Sequence, residues 1–324
     1  MKKKTYLTMF GCILAVVVAT ATLCCIFFFN PQRTFQITET YKINSTNTSQ
    51  IYLNVCLPTS TGYQTVSDYV FDGFEDYFIE RYDGWNELTA KIPTKNSETL
   101  ITITYSVALI RNAQSWDAPL SDAYTQPQQY VDSDNKDIIK FGEQLRGDND
   151  YKTAQNIVKQ VNKMIHYPSG SQVNKEQLSA SELLKNPVGV CGDNAILMTA
   201  LLRAEGIPTR MVSGVSLELP LKQAANWSHR GGAHAWVEFF VEGKWHFADP
   251  AWGLFDRSDT SHLSYGTYEA YIGSDFQQSR MTAIENMGFY LNGAMSAPLR
   301  FMVYSTDENV VVVPRVDVSF SWFG

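Results

Sequence analysis

Residues 189–208 read GVCGDNAILMTALLRAEGIP, a single cysteine between two glycines at the head of an apolar helical pattern. Beyond Cys191, the residues Ala195, Leu197, Met198, Leu201 and Leu202 keep helical spacing, and Gly206 and Pro208 supply stop signals. The spacing predicts a helix that begins close to Cys191, with Gly189 and Gly192 leaving room for another backbone. A thiol placed there feels the positive end of the helix dipole and unpaired N–H groups, which favour the thiolate and can hold a developing oxyanion. Position alone does not separate a reactive cysteine from a packed one, because free cysteine is also a common core side chain.

Residues 231–253, GGAHAWVEFFVEGKWHFADPAWG, alternate along 233–241, turn at Glu242-Gly243 and continue over 244–249, the pattern of a β-hairpin. With a turn symmetric about those two residues, position 236 faces 249 and position 234 faces 251. His234 and Asp249 are then diagonal neighbours on one face, close enough for a carboxylate to orient an imidazole. His246 faces 239 and projects from the other side, although a turn one residue longer or shorter would exchange the faces. His229, in the polar loop NWSHRGG (226–232), is a weaker candidate for a cleft residue. Among the tryptophans around these blocks, Trp236 shares the face of His234 and is the one expected to shield the site, the others being core.

A thiol, an imidazole and a carboxylate in this order are the parts of nucleophilic catalysis on a carbonyl. The blocks GVCGDNAILMTALLRAEGIPTRMVSG and HAWVEFFVEGKWHFADPAWG, in that order, resemble the core of the transglutaminase-like superfamily, which has a papain-like arrangement. The resemblance covers about residues 150–255. It implies an α+β fold, a helix carrying the cysteine packed on an antiparallel sheet. It also implies that Cys191 is the nucleophile, His234 the general base and acid, and Asp249 the residue that fixes the imidazole. Members complete the oxyanion site with an upstream side chain, for which Tyr167 is the candidate here. The implied activity is acyl transfer or hydrolysis at amide bonds of peptides or proteins through a thioester. Water as acceptor makes a peptidase or amidase, an amine makes a transglutaminase, and the residues leave that choice open. The alternative is a catalytically silent module of the same shell that binds proteins or cell-wall polymer. No cofactor is implied. A metal is not expected either, since the spacing of His229, His234 and His246 fits no usual ligand set.

Before this core, residues 36–115 read as a β-rich domain. LITITYSVAL (100–109) and QIYLNVCLP (50–58) both alternate, with Ile101, Ile103, Tyr105, Val107 and Leu109 on one face of the first. Residues 116–135, including TQPQQY, read as a polar linker. The core is expected over 136–256, opening with a helix whose stripe is Ala154, Ile157, Val158, Val161, Met164 and Ile165. Residues 257–324, with strand character in NVVVVPRVDVSFSWF (309–323), are expected as a C-terminal extension of that core.

The chain opens with Met1-Lys2-Lys3-Lys4 and a mostly apolar run to Phe29, so residues 1–35 are expected to form a transmembrane helix that places the catalytic domain outside the cell membrane. The rival reading is a cleaved signal and a secreted protein, Ala19-Thr20-Ala21 fitting a cleavage site. On the first reading the chain resembles a bacterial-type, membrane-anchored member of the superfamily, with the membrane as one partner and a peptide or protein substrate, such as one of the cell envelope, as the other. Past Phe35 lie 22 Lys and Arg against 33 Asp and Glu, a formal charge of -11 that argues against nucleic acid as a partner. Of five cysteines only Cys56 and Cys191 lie outside the apolar run, too few for a disulfide scaffold but enough for one bridge.

Overall fold

Alternating apolar and polar residues build three sheets in the computed structural model, which describes residues 32–321 except 45–50, 68, 83–84, 94–97, 114, 168–176, 218–231, 268–281, 286–288, 292–293, 297–300 and 306–310. Seven strands precede the helices: β1 (Gln32–Asn44), β2 (Ile51–Leu57), β3 (Gln64–Val66), β4 (Val70–Asp72), β5 (Asp76–Tyr82), β6 (Trp85–Ile92) and β7 (Thr99–Ile110). The helices are α1 (Lys136–Glu143), α2 (Asp150–Met164), α3 (Ala180–Lys185) and α4 (Cys191–Ala204). Strands β8 (Thr209–Ser216), β9 (Gly232–Val241), β10 (Lys244–Asp249), β11 (Leu254–Phe255) and β12 (His262–Thr267) form one five-stranded sheet in the order β11-β10-β9-β8-β12. Five more follow: β13 (Thr282–Glu285), β14 (Phe289–Leu291), β15 (Ala294–Ser296), β16 (Phe301–Ser305) and β17 (Val311–Ser321).

The N-terminal strands and the last five share two further sheets. β17 pairs antiparallel with β1 along its length, and β1 in turn pairs with β7. In the second sheet β16 pairs with β2, which pairs with β6. The apolar faces read from alternation meet in one core that includes Ile37, Leu53, Val55, Ile101, Ile103 and Val107. Residues 257–324 therefore divide: β12 joins the helix-bearing sheet, while β13–β17 complete the sheets of the N-terminal strands. Residues 116–135 are not free of the core, since Trp116 exchanges backbone hydrogen bonds with Trp245 of β10 at 2.9 and 3.0 Å.

Helix α4 is buried on all sides from Asn194 to Arg203, so each of its fully buried leucines stabilises the fold by roughly 2 kcal/mol. It starts where Asp193 turns back to accept the Val190 N–H at 2.8 Å. It ends at Gly206 with φ +76°, where the Ile207 N–H reaches the Leu202 carbonyl at 2.9 Å, a Schellman closure that needs the left-handed residue. Its apolar side chains pack with α2 (Ala154, Ile157, Val158, Val161) against Val237, Phe239 and Ala248 of the sheet. The arrangement is α+β, with a helix-on-sheet core.

Among the described residues no helix is long and apolar enough to cross a membrane. The expected transmembrane helix, and with it the membrane-anchored membership, the membrane as a partner and the single-pass outward topology, is withdrawn on that finding. Residues 1–31, on which that reading fell, lie outside the described residues. No disulfide joins Cys56 and Cys191; both are thiols, and the buried Cys56 thiol donates to the Tyr265 carbonyl at 2.8 Å.

Candidate active site

The hairpin β9–β10 turns at Glu242 (φ +53°) and Gly243 (φ +79°), a two-residue turn of the type that matches strand twist. Its register, Val241 with Lys244 through Val237 with Ala248, carries His234 and Asp249 to the same end of the sheet. There His234 Nε2 lies 2.8 Å from Asp249 Oδ2. Cys191, the first residue of α4, is the thiol on which the same imidazole acts. Nε2 being engaged by Asp249, Nδ1 is the nitrogen left for the thiol. Cys191 at a helix start, His234 and the fully buried Asp249 are thus brought to one place.

The electrostatics follow from that arrangement. Burial disfavours the imidazolium of His234, but Asp249 and the Cys191 thiolate outweigh it and hold the ring up to about 10. Burial likewise pushes the Cys191 thiol up; the hydrogen bond and charge of His234, with the Ala235 N–H, pull it below the ordinary cysteine value. Asp249 is buried too, yet its two histidine neighbours keep it below the usual carboxylate range. Its other oxygen, Oδ1, accepts the N–H groups of Ala251 (2.8 Å) and Trp252 (3.2 Å), which fixes the carboxylate plane.

Of the expected cleft residues, Tyr167 reaches the site. It is half exposed as a residue; burial, then the charges on Cys191 and Asp249, raise its hydroxyl well above the tyrosine range. His229 lies outside the described residues. Trp236 does not line a cleft. It is fully buried, its indole N–H donates to the Tyr63 hydroxyl at 3.0 Å, and that hydroxyl donates to Glu238 at 2.8 Å, beside Arg210. The ring that covers His234 is Trp252, stacked at 4.7 Å between centroids. The glycines flanking Cys191 also differ from expectation. A Cβ on Gly189 would meet the Asp193 side chain at 2.5 Å rather than another backbone, and one on Gly192 would meet nothing within 4 Å.

A further histidine reaches the site. His262 of β12 places Nε2 3.1 Å from the same Asp249 oxygen and Nδ1 2.7 Å from Asp259. The signal for it was Asp259-x-x-His262 in DTSHLSYG, a carboxylate three residues before a histidine at the mouth of a strand. His234, Asp249 and His262 bring three ligand-type atoms within 4.8 Å of one another, and each is already hydrogen-bonded to another member of the group. His246 projects to the opposite side, where Nδ1 meets Asp256 at 2.8 Å.

The signature of the transglutaminase-like superfamily matches residues 139–250, a stretch that includes Cys191, His234 and Asp249. No curated protein sequence matches the chain. In fold, the chain is similar to a crystal structure from Cytophaga hutchinsonii assigned as a candidate cysteine protease: 18% identity, TM-score 0.51, 90% of this chain and 94% of that one. It also matches a candidate protease from Parabacteroides distasonis (16% identity, TM-score 0.30, 71% and 46% covered) and the periplasmic domain of TgpA from Pseudomonas aeruginosa (15%, 0.37, 69% and 88%). The core therefore carries a cysteine-enzyme superfamily signature on a fold shared with the first of these.

Proposed function

We propose that the core is a cysteine-dependent acyl-transfer enzyme acting on amide bonds of peptides or proteins. The observation that supports the reading is the 2.8 Å pair of His234 and Asp249 beside a thiol at a helix start that the imidazole acidifies. In the first step the Cys191 thiolate attacks the amide carbonyl and the carbonyl π pair moves onto oxygen. N–H groups at the start of α4 and the Tyr167 hydroxyl receive that oxyanion. Collapse expels the amine, protonated by His234, and leaves an acyl thioester on Cys191. His234, now neutral, takes a proton from an incoming water or primary amine, whose attack releases the acyl group, expels the Cys191 thiolate and restores the thiolate–imidazolium pair. Asp249 keeps the imidazole oriented throughout and stabilises its charged form.

A second reading is a silent module of the same shell that binds peptide or protein without turnover. The superfamily signature and the fold likeness support that coarser reading at least as directly, because a silent module keeps both. Trp252 over His234, leaving that residue 7% exposed, also favours it. The two separate in one experiment on the full chain: incubation with glutamine-containing peptides, with and without a primary amine, while following ammonia release, amine incorporation and peptide cleavage. The enzyme reading predicts product that disappears in Cys191→Ala. Peptide binding with no product from either chain supports the silent module and overturns the enzyme reading.

A further inference from the structure

Asp249 serves two imidazoles through a single oxygen. His234 approaches Oδ2 at 2.8 Å from one side and His262 at 3.1 Å from the other, while Oδ1 is filled by two backbone N–H groups. His262 is itself held at both ends. Its Nδ1 meets Asp259 Oδ1 at 2.7 Å, and that oxygen also accepts the Ser261 N–H (2.8 Å) and hydroxyl (2.9 Å), so Asp259 is fixed by its own turn. An ionised carboxylate only accepts, and a neutral imidazole has only one donor. With a carboxylate at each nitrogen, His262 satisfies both contacts only as imidazolium, and burial is opposed by Asp259 and Asp249 in holding its proton on. The ring has no freedom to turn away: Trp252, Trp236 and Phe247 pack against it at 4.6, 5.0 and 5.2 Å between centroids, and it is fully buried. The titratable groups that face it are Asp249 on β10, Asp259 in the turn before β12, and His234 on β9.

We propose that His262 is a positioning residue for this site: clamped from behind by Asp259, it donates to Asp249 Oδ2 and holds that carboxylate against His234. The inference rests on the reading of Cys191 and His234 as a working pair. Charges then alternate along the chain Asp259, His262, Asp249, His234, Cys191, from the outer turn to the thiolate. Without the clamp, Asp249 keeps its backbone donors but loses the contact that fixes Oδ2, and the imidazolium–thiolate pair loses orientation.

The test is the pH profile of Cys191 alkylation by iodoacetamide in the full chain carrying Cys56→Ser, with folding checked by near-UV circular dichroism. His262→Phe fills the volume but donates nothing, and is expected to slow alkylation at pH 6 about tenfold, the effect of one charge-assisted hydrogen bond. His262→Gln restores a donor and is expected to recover the rate to within about threefold of the parent, a rescue that a merely space-filling role would not give. Asp259→Ala leaves the core filled, so it tests the clamp even if His262→Phe does not fold; a slowing of about threefold in the same direction is expected. Profiles unchanged in His262→Phe and Asp259→Ala, or Gln no better than Phe, overturn the proposal. His234→Ala separates the two levels. Loss of low-pH reactivity there with unchanged His262 and Asp259 variants sinks the positioning role alone; a parent-like profile in His234→Ala sinks the Cys–His pair itself.

Discussion

Replacing Asp249 by asparagine removes one charge and keeps the shape, and its consequence for His234 is worked out directly from the site. In the folded chain Asp249 and the Cys191 thiolate hold the ring up to about 10 against an ordinary value of 6.5. At 1.36 kcal/mol per tenfold, that gap amounts to about 5 kcal/mol of preference for the imidazolium, shared between Asp249 and the Cys191 thiolate. Because the folded value lies above the unfolded one, this stabilisation is full below about pH 6.5 and is lost as pH rises through about 10. In Asp249→Asn the main opposing charge is gone while burial still disfavours the imidazolium, so His234 is expected to titrate near or below 6.5. Two assays on the full chain follow: NMR titration of 13C-labelled histidine, and urea unfolding at pH 6 and pH 10. The parent should exceed the variant in stability by several kcal/mol at pH 6, and the difference should shrink by pH 10. A variant whose His234 still titrates near the parent value, or a stability difference independent of pH, would refute the reasoning.

Other perturbations reach the packing around the site. Glu238→Ala strips the ion-pair partner of the buried Arg210 guanidinium, whose Nη1 has no hydrogen-bond partner among the described residues; a loss of about 3–5 kcal/mol in urea unfolding is expected, and a loss under about 1 would contradict it. Gly214→Ala places a Cβ 2.1 Å from the Leu263 carbonyl oxygen and 2.5 Å from the Trp236 ring, prying β8 from β12. It should cost about 1–3 kcal/mol in the same assay, whereas Gly192→Ala, facing open space, should cost far less. Trp252→Ala uncovers His234 to water and relieves the burial that disfavours its imidazolium, so the ring should stay raised and Cys191 alkylation at pH 6 should persist or quicken; alkylation that collapses at pH 6 would show that the stacked indole is needed to hold the pair together.

The parts of the site that were legible in the sequence are those fixed within a few residues. Glu242-Gly243 sets the hairpin register, and through it the shared end of His234 and Asp249, because a two-residue turn leaves one pairing. Gly206 and the apolar spacing set α4, and so the position of Cys191. The parts that were not legible depend on contacts between distant segments. His262 reaches Asp249 only because β12 pairs with β8, His262 opposite Ser216, at the far side of the sheet from β10. Trp236 shares the face of His234, yet Tyr63 from the N-terminal strands claims its indole N–H and takes it into the core. The pairing of β17 with β1, Thr34 opposite Ser321, spans nearly the whole chain, and nothing in the alternation of VVVPRVDVSFS says which strand it will join. The apolar run before Phe29 read as a helix on hydropathy alone, and the described residues hold no membrane-length helix that would bear out the reading.

The most direct test of the central claim is whether Cys191 takes and releases an acyl group. The full chain is mixed with p-nitrophenyl acetate at pH 7, quenched in acid and examined by intact and peptide mass spectrometry. A working pair predicts a burst of nitrophenol and a hydroxylamine-labile acetyl group on Cys191, absent in Cys191→Ala and strongly reduced in His234→Ala. No adduct on Cys191, or acylation that proceeds equally without His234, would contradict the account.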